Sequence, residues 1–338
     1  MIKVNAIVLA AIALASCGSG SSGGGANDVA ATDPIGTNPQ GCARFFVGGK
    51  APLIRDPKAR VKTRVLCRRT FAVYHSGMAR QPLWVAEALT REQIKLGFSL
   101  PRVDSFHADS DLPKSERAEL KDYSRSGFDR GHMAPDGDMP TRIAANEAFA
   151  LSNMSPQTKE LNRNSWKDLE EAIRRQTRGG TVYVVTGPIF QGARIATTHA
   201  DGRLLVPTSY FKAVYASERG ATIFTATNTT RPQWSTMTVD QFKQVHGIDP
   251  FPGIDPKFRN VNGALDGSMN RLSGTAEANG AAANAANGGT GTAGGPPKAT
   301  CKRQGGNTVQ NPTNGQAITP EQYRLYFGQD PKQWEYCQ

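Results

Sequence analysis

The sequence predicts an α+β fold centred on one sheet. Five short segments are rich in β-branched and aromatic residues, and one segment carries the apolar period of a helix. Low-complexity tracts enclose a stretch from about 41 to 270, a length that suits a single domain.

The strand segments are RTFAVYHS (69–76), PLWVAEAL (82–89), TVYVVTGPIF (181–190), SYFKAVYA (209–216) and ATIFTAT (221–227). Such side chains fit a pleated, half-buried surface. TVYVVTG is almost continuously apolar, which places it centrally in the sheet. The helix reads LNRNSWKDLEEAIRR (161–175). At about 100° per residue, Trp166, Leu169 and Ile173 fall within about 40° of Asn162, so an amide sits inside the apolar stripe. A buried amide costs free energy unless it is satisfied. The bland account is a backbone bond in the first turn, with Glu170 and Arg174 forming an i,i+4 pair.

The ends read differently. Residues 1–16 have Lys3 followed by an apolar run from Ala6 to Ala15, too short to span a bilayer, which reads as a signal peptide. Leu14-Ala15-Ser16-Cys17 has the pattern of a lipobox, so Cys17 is the expected lipidation site and the membrane an expected partner. The expected location is the cell envelope, at the outer membrane or in the periplasm; the alternative is a free secreted form. Residues 17–40 form a Gly/Ser-rich tether, 271–300 a Gly/Ala/Asn-rich linker and 301–338 a small appendage. There are five cysteines. Lipidation of Cys17 leaves Cys42, Cys67, Cys301 and Cys337, which allow three pairings. Cys42–Cys67 and Cys301–Cys337 are expected, because each pair brackets one terminal segment.

The net charge of +11 makes a polyanionic partner plausible. Residues 55–69, RDPKARVKTRVLCRR, hold seven basic side chains opposed by Asp56 alone. That run suits phosphates or else a solvated face.

The chemistry concentrates in FDRGHMAPDGD (128–138), where His132 lies among charged and turn residues. His75, His107, His199 and His246 are scattered without a zinc-type partner and read as surface or locally bonded side chains. Asp136 and Asp138 read as turn formers and Trp166 as core.

Taken with LSNMSPQTKELN (151–162), these residues resemble the DNA/RNA non-specific endonucleases of the ββα-metal fold. The matching residues are Asp129-Arg130-Gly131-His132, Asn153, Gln157, Asn162, Trp166, Leu169 and Glu170. VYVVTGPIF and VPTSYFK follow in the family's order, and the resemblance spans about residues 71–254. It implies a metal-dependent endonuclease acting on DNA and RNA with little sequence preference. In that reading His132 is the general base, and Asn162 offers an amide oxygen to one Mg²⁺, with Mn²⁺ a possible substitute. Glu170 holds waters of the ion, Arg130 and Arg174 contact phosphate, Asp129 braces the loop, and Asn153 and Gln157 support the site. The rival is a non-catalytic envelope lipoprotein that binds polyanions on a degenerate nuclease scaffold. An intact His132 and Asn162 speak against it.

Overall fold

A computed structural model describes residues 41–261, apart from 193, 194, 200, 201 and 218, together with a short pairing of Val309–Gln310 with Ala317–Ile318. Cys17, the Cys301–Cys337 pairing, the tether and the linker lie outside the described residues.

In chain order the strands are β1 (Leu53–Ile54), β2 (Thr63–Cys67), β3 (Phe71–Ser76), β4 (Gln81–Leu89), β5 (Asp129–His132), β6 (Met154–Gln157), β7 (Val182–Ile189), β8 (Ser209–Ala216), β9 (Gly220–Thr227), β10 (Trp234–Met237) and β11 (Ile248–Asp249). The helices are α1 (Arg91–Phe98), α2 (Leu120–Tyr123), α3 (Arg142–Ala148), α4 (Lys159–Arg163), α5 (Ser165–Gln176) and α6 (Val239–His246). Seven strands form one antiparallel sheet in the order β10-β9-β8-β7-β4-β3-β2. The apolar TVYVVTG run is β7, the middle strand, as its composition predicts.

Both faces of this sheet are covered, and the period of two along each strand sorts the side chains. Trp84, Phe211, Ala213 and Ile223 face one layer, where α6 contributes Val239 and Phe242. Val85, Tyr210 and Val214 face the other, where α5 contributes Trp166, Leu169 and Ile173. Trp166 is therefore core. α1 joins the same layer through Ile94. Its start is capped by Thr90, whose side chain accepts from the Gln93 amide.

The expected helix over 161–175 is broken. Asn164 leaves the helical region at φ −115° and ψ −107°, which separates α4 from α5. Its side-chain amide donates to the Glu160 carbonyl at 3.1 Å, a local bond that competes with the helix ladder. Asn162 consequently lies in α4 and is half-buried, outside the apolar stripe of α5.

Three of the seven basic side chains in 55–69 are paired internally. Arg64 pairs with Glu116, Arg68 with Asp109 and Asp111, and Arg69 with Glu147, so their charge is spent tying down β2 and the loop after it. Cys67, at the end of β2, forms the expected disulfide with Cys42. His75 is fully buried, with Nε2 at 2.8 Å from the Glu116 carbonyl, so it is locally bonded and not a surface group.

Candidate active site

The site is assembled on a small two-stranded ribbon, separate from the large sheet but packed on it through Ser155, which bonds Gln81 and Tyr210. β5 and β6 pair antiparallel, with His132 opposite Met154 and Asp129 opposite Gln157, and α4 follows at once. This strand–strand–helix unit is the ββα element that the sequence predicts. The ribbon demands glycine at 131: a Cβ there would lie 1.9 Å from Gln157 Oε1. Gln157 is fully buried and lies across this backbone.

Asn153 fixes the chain just after the histidine. Its Oδ1 accepts from the Ala134 amide at 2.9 Å, while Nδ2 donates to the carbonyls of Ala134 and Ala148 at 2.9 and 2.8 Å. The Asn153 carbonyl accepts from Met133 N at 3.0 Å. Four bonds on one buried residue leave the His132 backbone little freedom. Neither Asn153 nor Gln157 lines the cleft.

The other six expected residues do. His132, Arg130, Asp129, Asn162, Glu170 and Arg174 line one cleft of about 990 Å³. The His132 ring meets Phe149 edge to face at 4.9 Å and Phe106 at 5.7 Å, and its Nε2 is buried without a hydrogen-bond partner. Burial, followed by the charges of Arg102 and Arg130, pushes its pKa down to about 3, so the imidazole is neutral. The Arg130 guanidinium lies 4.0 Å over the Phe106 ring.

Asp129 braces α4. Its carboxylate accepts from Arg163 Nε and Nη2 at 2.7 and 2.8 Å and from Asn162 Nδ2 at 3.0 Å. Burial raises its pKa, but the bonds from Arg163 and Asn162 outweigh that and hold it below the usual value. With the amide nitrogen turned to Asp129, the Asn162 oxygen is left for another ligand.

Beneath the cleft lies a buried charged cluster that the sequence does not announce. On the site face of the sheet, Lys212 of β8 sits opposite Thr186 of β7, which in turn sits opposite Val85 of β4, two residues before Glu87. Lys212 Nζ donates to Thr186 Oγ1 at 2.9 Å and lies 3.7 Å from Glu170 Oε1. Arg174 donates to Asp138 at 2.9 Å, which makes Asp138 an ion-pair partner in addition to a turn residue. Burial pushes the Glu170 pKa up to about 7, against the pull of Lys212 and Arg174. Glu87 is pushed well above the usual carboxylate range by burial and then by Asp138. The available signal was a charged residue inside a nearly apolar strand, in PLWVAEAL and in SYFKAVYA.

Six basic side chains line the cleft: Arg102, Lys121, Arg130, Arg163, Lys167 and Arg174. Four of these were not singled out from the sequence, since tertiary contacts alone gather them. Among the described residues no three His, Cys, Asp or Glu side chains converge on a metal position.

A neutral histidine on a ββα ribbon, beside an amide and a half-buried glutamate in a basic cleft, defines a nuclease-type site. The chain belongs to the DNA/RNA non-specific endonuclease family, whose model matches residues 52–257. It is 39% identical to nuclease C1 of Cunninghamella echinulata var. echinulata over 158 residues, covering 44% of this chain and 63% of that protein. It is 34% identical to human mitochondrial endonuclease G over 170 residues, covering 46% and 56%. It is 35% identical to mitochondrial nuclease 1 of Schizosaccharomyces pombe over 153 residues, covering 42% and 48%. The chain thus spans about half the length of the relatives it matches. A solved structure of the EndoG/EndoGI complex aligns at 26% identity over 57% of this chain and 88% of that one, with a TM-score of 0.47.

These relatives correct the expected location. They are mitochondrial and fungal nucleases, not bacterial envelope lipoproteins, so the expected envelope-lipoprotein location is overturned. No helix among the described residues is long and apolar enough to cross a membrane.

Proposed function

We propose that this protein hydrolyses phosphodiester bonds of DNA and RNA with little sequence preference, using His132 as general base and one divalent cation, Mg²⁺ or in its place Mn²⁺, held through Asn162. The observation that carries this reading is the convergence of His132, Asn162 and Glu170 on one cleft ringed by basic side chains.

Hydrolysis requires a water to lose a proton as it attacks phosphorus. A neutral imidazole accepts that proton, and the low pKa of His132 keeps it unprotonated in the free enzyme. An anionic phosphodiester in the cleft draws that pKa upward and strengthens the base. Arg130 and Arg174 face the negative oxygens. Arg174 commits Nη1 to Asp138 and retains other N–H groups for phosphate.

The donor set fits a hard cation. A neutral amide oxygen from Asn162, with Glu170 placed to hold the ion's waters, would leave most of the coordination shell to water, the usual state of Mg²⁺. When bound, the ion neutralises charge on the phosphate and on the leaving oxygen. Asp129 orients Asn162, and Lys212 orients Glu170. Backbone contacts by cations carry no sequence information, which accounts for broad specificity.

The test is cleavage of plasmid DNA and of RNA by the full chain, with Mg²⁺ and with EDTA. Cutting of both that stops in EDTA is the expected result. Binding without cutting in any divalent cation would leave only the polyanion binder.

A further inference from the structure

A second basic groove runs beside the cleft and is unexplained by the chemistry above. It lies between α1 and the C-terminal half of α5, with a volume of about 580 Å³. Arg91 and Lys95 line it from α1, and Arg175 and Arg178 from α5 and the turn that follows. All four are exposed, and none of them forms an ion pair or hydrogen bond through its side chain among the described residues. The one acid in the groove wall, Glu171, lies toward Lys167 at 3.7 Å.

Unpaired cations gathered around one groove repel each other, which costs free energy that a bound anion would recover. In the basic run at 55–69, by contrast, Arg64, Arg68 and Arg69 are neutralised internally. Two further facts point to the occupant. Arg174 lines both the groove and the cleft, so the two spaces share a wall. Phe98, the last residue of α1, lines the groove with 76% of its surface exposed. An exposed aromatic beside cations suits a polynucleotide, which offers bases to stack and phosphates to pair.

We infer that the α1–α5 groove binds the sugar-phosphate backbone of a nucleic acid whose scissile phosphate sits in the cleft, extending the footprint beyond the site of cutting. This rests on the endonuclease reading for the substrate and adds a track that the catalytic residues do not form.

The experiment compares the full chain with two triple variants of equal charge change. One is Arg91→Gln/Lys95→Gln/Arg175→Gln in the groove. The other is Arg55→Gln/Lys58→Gln/Arg60→Gln on the remote basic run. Binding of a long duplex is measured in EDTA, where nothing is cut, as a function of salt. Each phosphate contact contributes about 0.9 to the slope of log K against log salt, so the groove variant should lose about 2 to 3 in slope and the remote variant almost none. Hydrolysis of a dinucleotide, too short to leave the cleft, should be unchanged in both. An unchanged slope in the groove variant, or equal losses in both variants, overturns the inference. Wild-type binding with the expected slope loss but no cutting in Mg²⁺ would keep the groove and sink the endonuclease reading. Cutting with no slope loss would do the reverse.

Discussion

Arg174 and Asp138 meet at 2.9 Å with side chains only 11% and 5% exposed, joining α5 to the turn that follows the DRGH strand. The pair links two segments that are 36 residues apart in sequence. It also fixes the guanidinium at the edge of the cleft.

Removing one partner of a buried pair strands the other charge, at a cost of about 3–5 kcal/mol. Asp138→Ala should therefore lower unfolding stability by that order and reduce cleavage as well. Urea titration checks the first part. A loss of less than about 1 kcal/mol, within the range of an exposed pair, would show that Arg174 finds water or another partner.

His132→Ala should lower cleavage by about two to four orders of magnitude with the fold intact, the scale of a positioned general base. Circular dichroism and single-turnover cleavage test the two halves separately. In the wild type, protonation of His132 should not depress kcat/KM until well below the ordinary imidazole value of about 6.5. Near wild-type turnover in a folded variant would take His132 out of the mechanism.

Asn162→Ala should abolish Mg²⁺-dependent cleavage, and Asn162→Asp should restore only part of it, because added negative charge weakens the ion's pull on phosphate. The aspartate would also stand against Asp129, now 3.0 Å from the Asn162 amide nitrogen. Cleavage measured across a Mg²⁺ titration separates weaker metal binding from a slower step. Full activity of EDTA-treated wild type would defeat the metal assignment altogether.

Glu87→Gln should change how stability depends on pH. The folded pKa of Glu87 is raised above its unfolded value, so between the two the chain takes up a proton on folding. Its contribution to stability is full below the ordinary carboxylate range and declines as pH rises above it. The glutamine variant lacks that decline. Melting temperatures at pH 5 and pH 8 should thus favour the variant more at pH 8, and parallel curves would show that Glu87 is ionised in the fold.

The candidate site residues were legible in the sequence because the proposed reaction calls for their types. His132, Asn162 and Glu170 stand in a spaced pattern, and the cleft brings them together. The sheet was legible from its β-branched runs, including the central place of TVYVVTG. What escaped was set by tertiary contact. Lys212 and Glu87 matter through strand register, which a single sequence does not display. Asp138 looked like a turn residue because its partner lies on a distant helix. The run at 55–69 suited phosphates or a solvated face, and its internal pairing was hidden because Glu116, Asp109 and Glu147, which neutralise three of its arginines, are 41 to 78 residues away. The break at Asn164 defeated helical periodicity, since local hydrogen bonding there outweighs continuation of the helix.

That break separates two degrees of freedom within the active site. In an unbroken helix, Asn162 and Glu170 would be locked in phase by about 100° per residue. Here the orientation of Asn162 is fixed by Asp129 on one side of the joint, and that of Glu170 by the packing of α5 and by Lys212 on the other. An insertion or a change of twist in α5 would swing the carboxylate and leave the amide where it is. The two oxygen-bearing side chains proposed to serve the cation can therefore be tuned one at a time, by variation or by design, along a stretch of chain that reads as one helix.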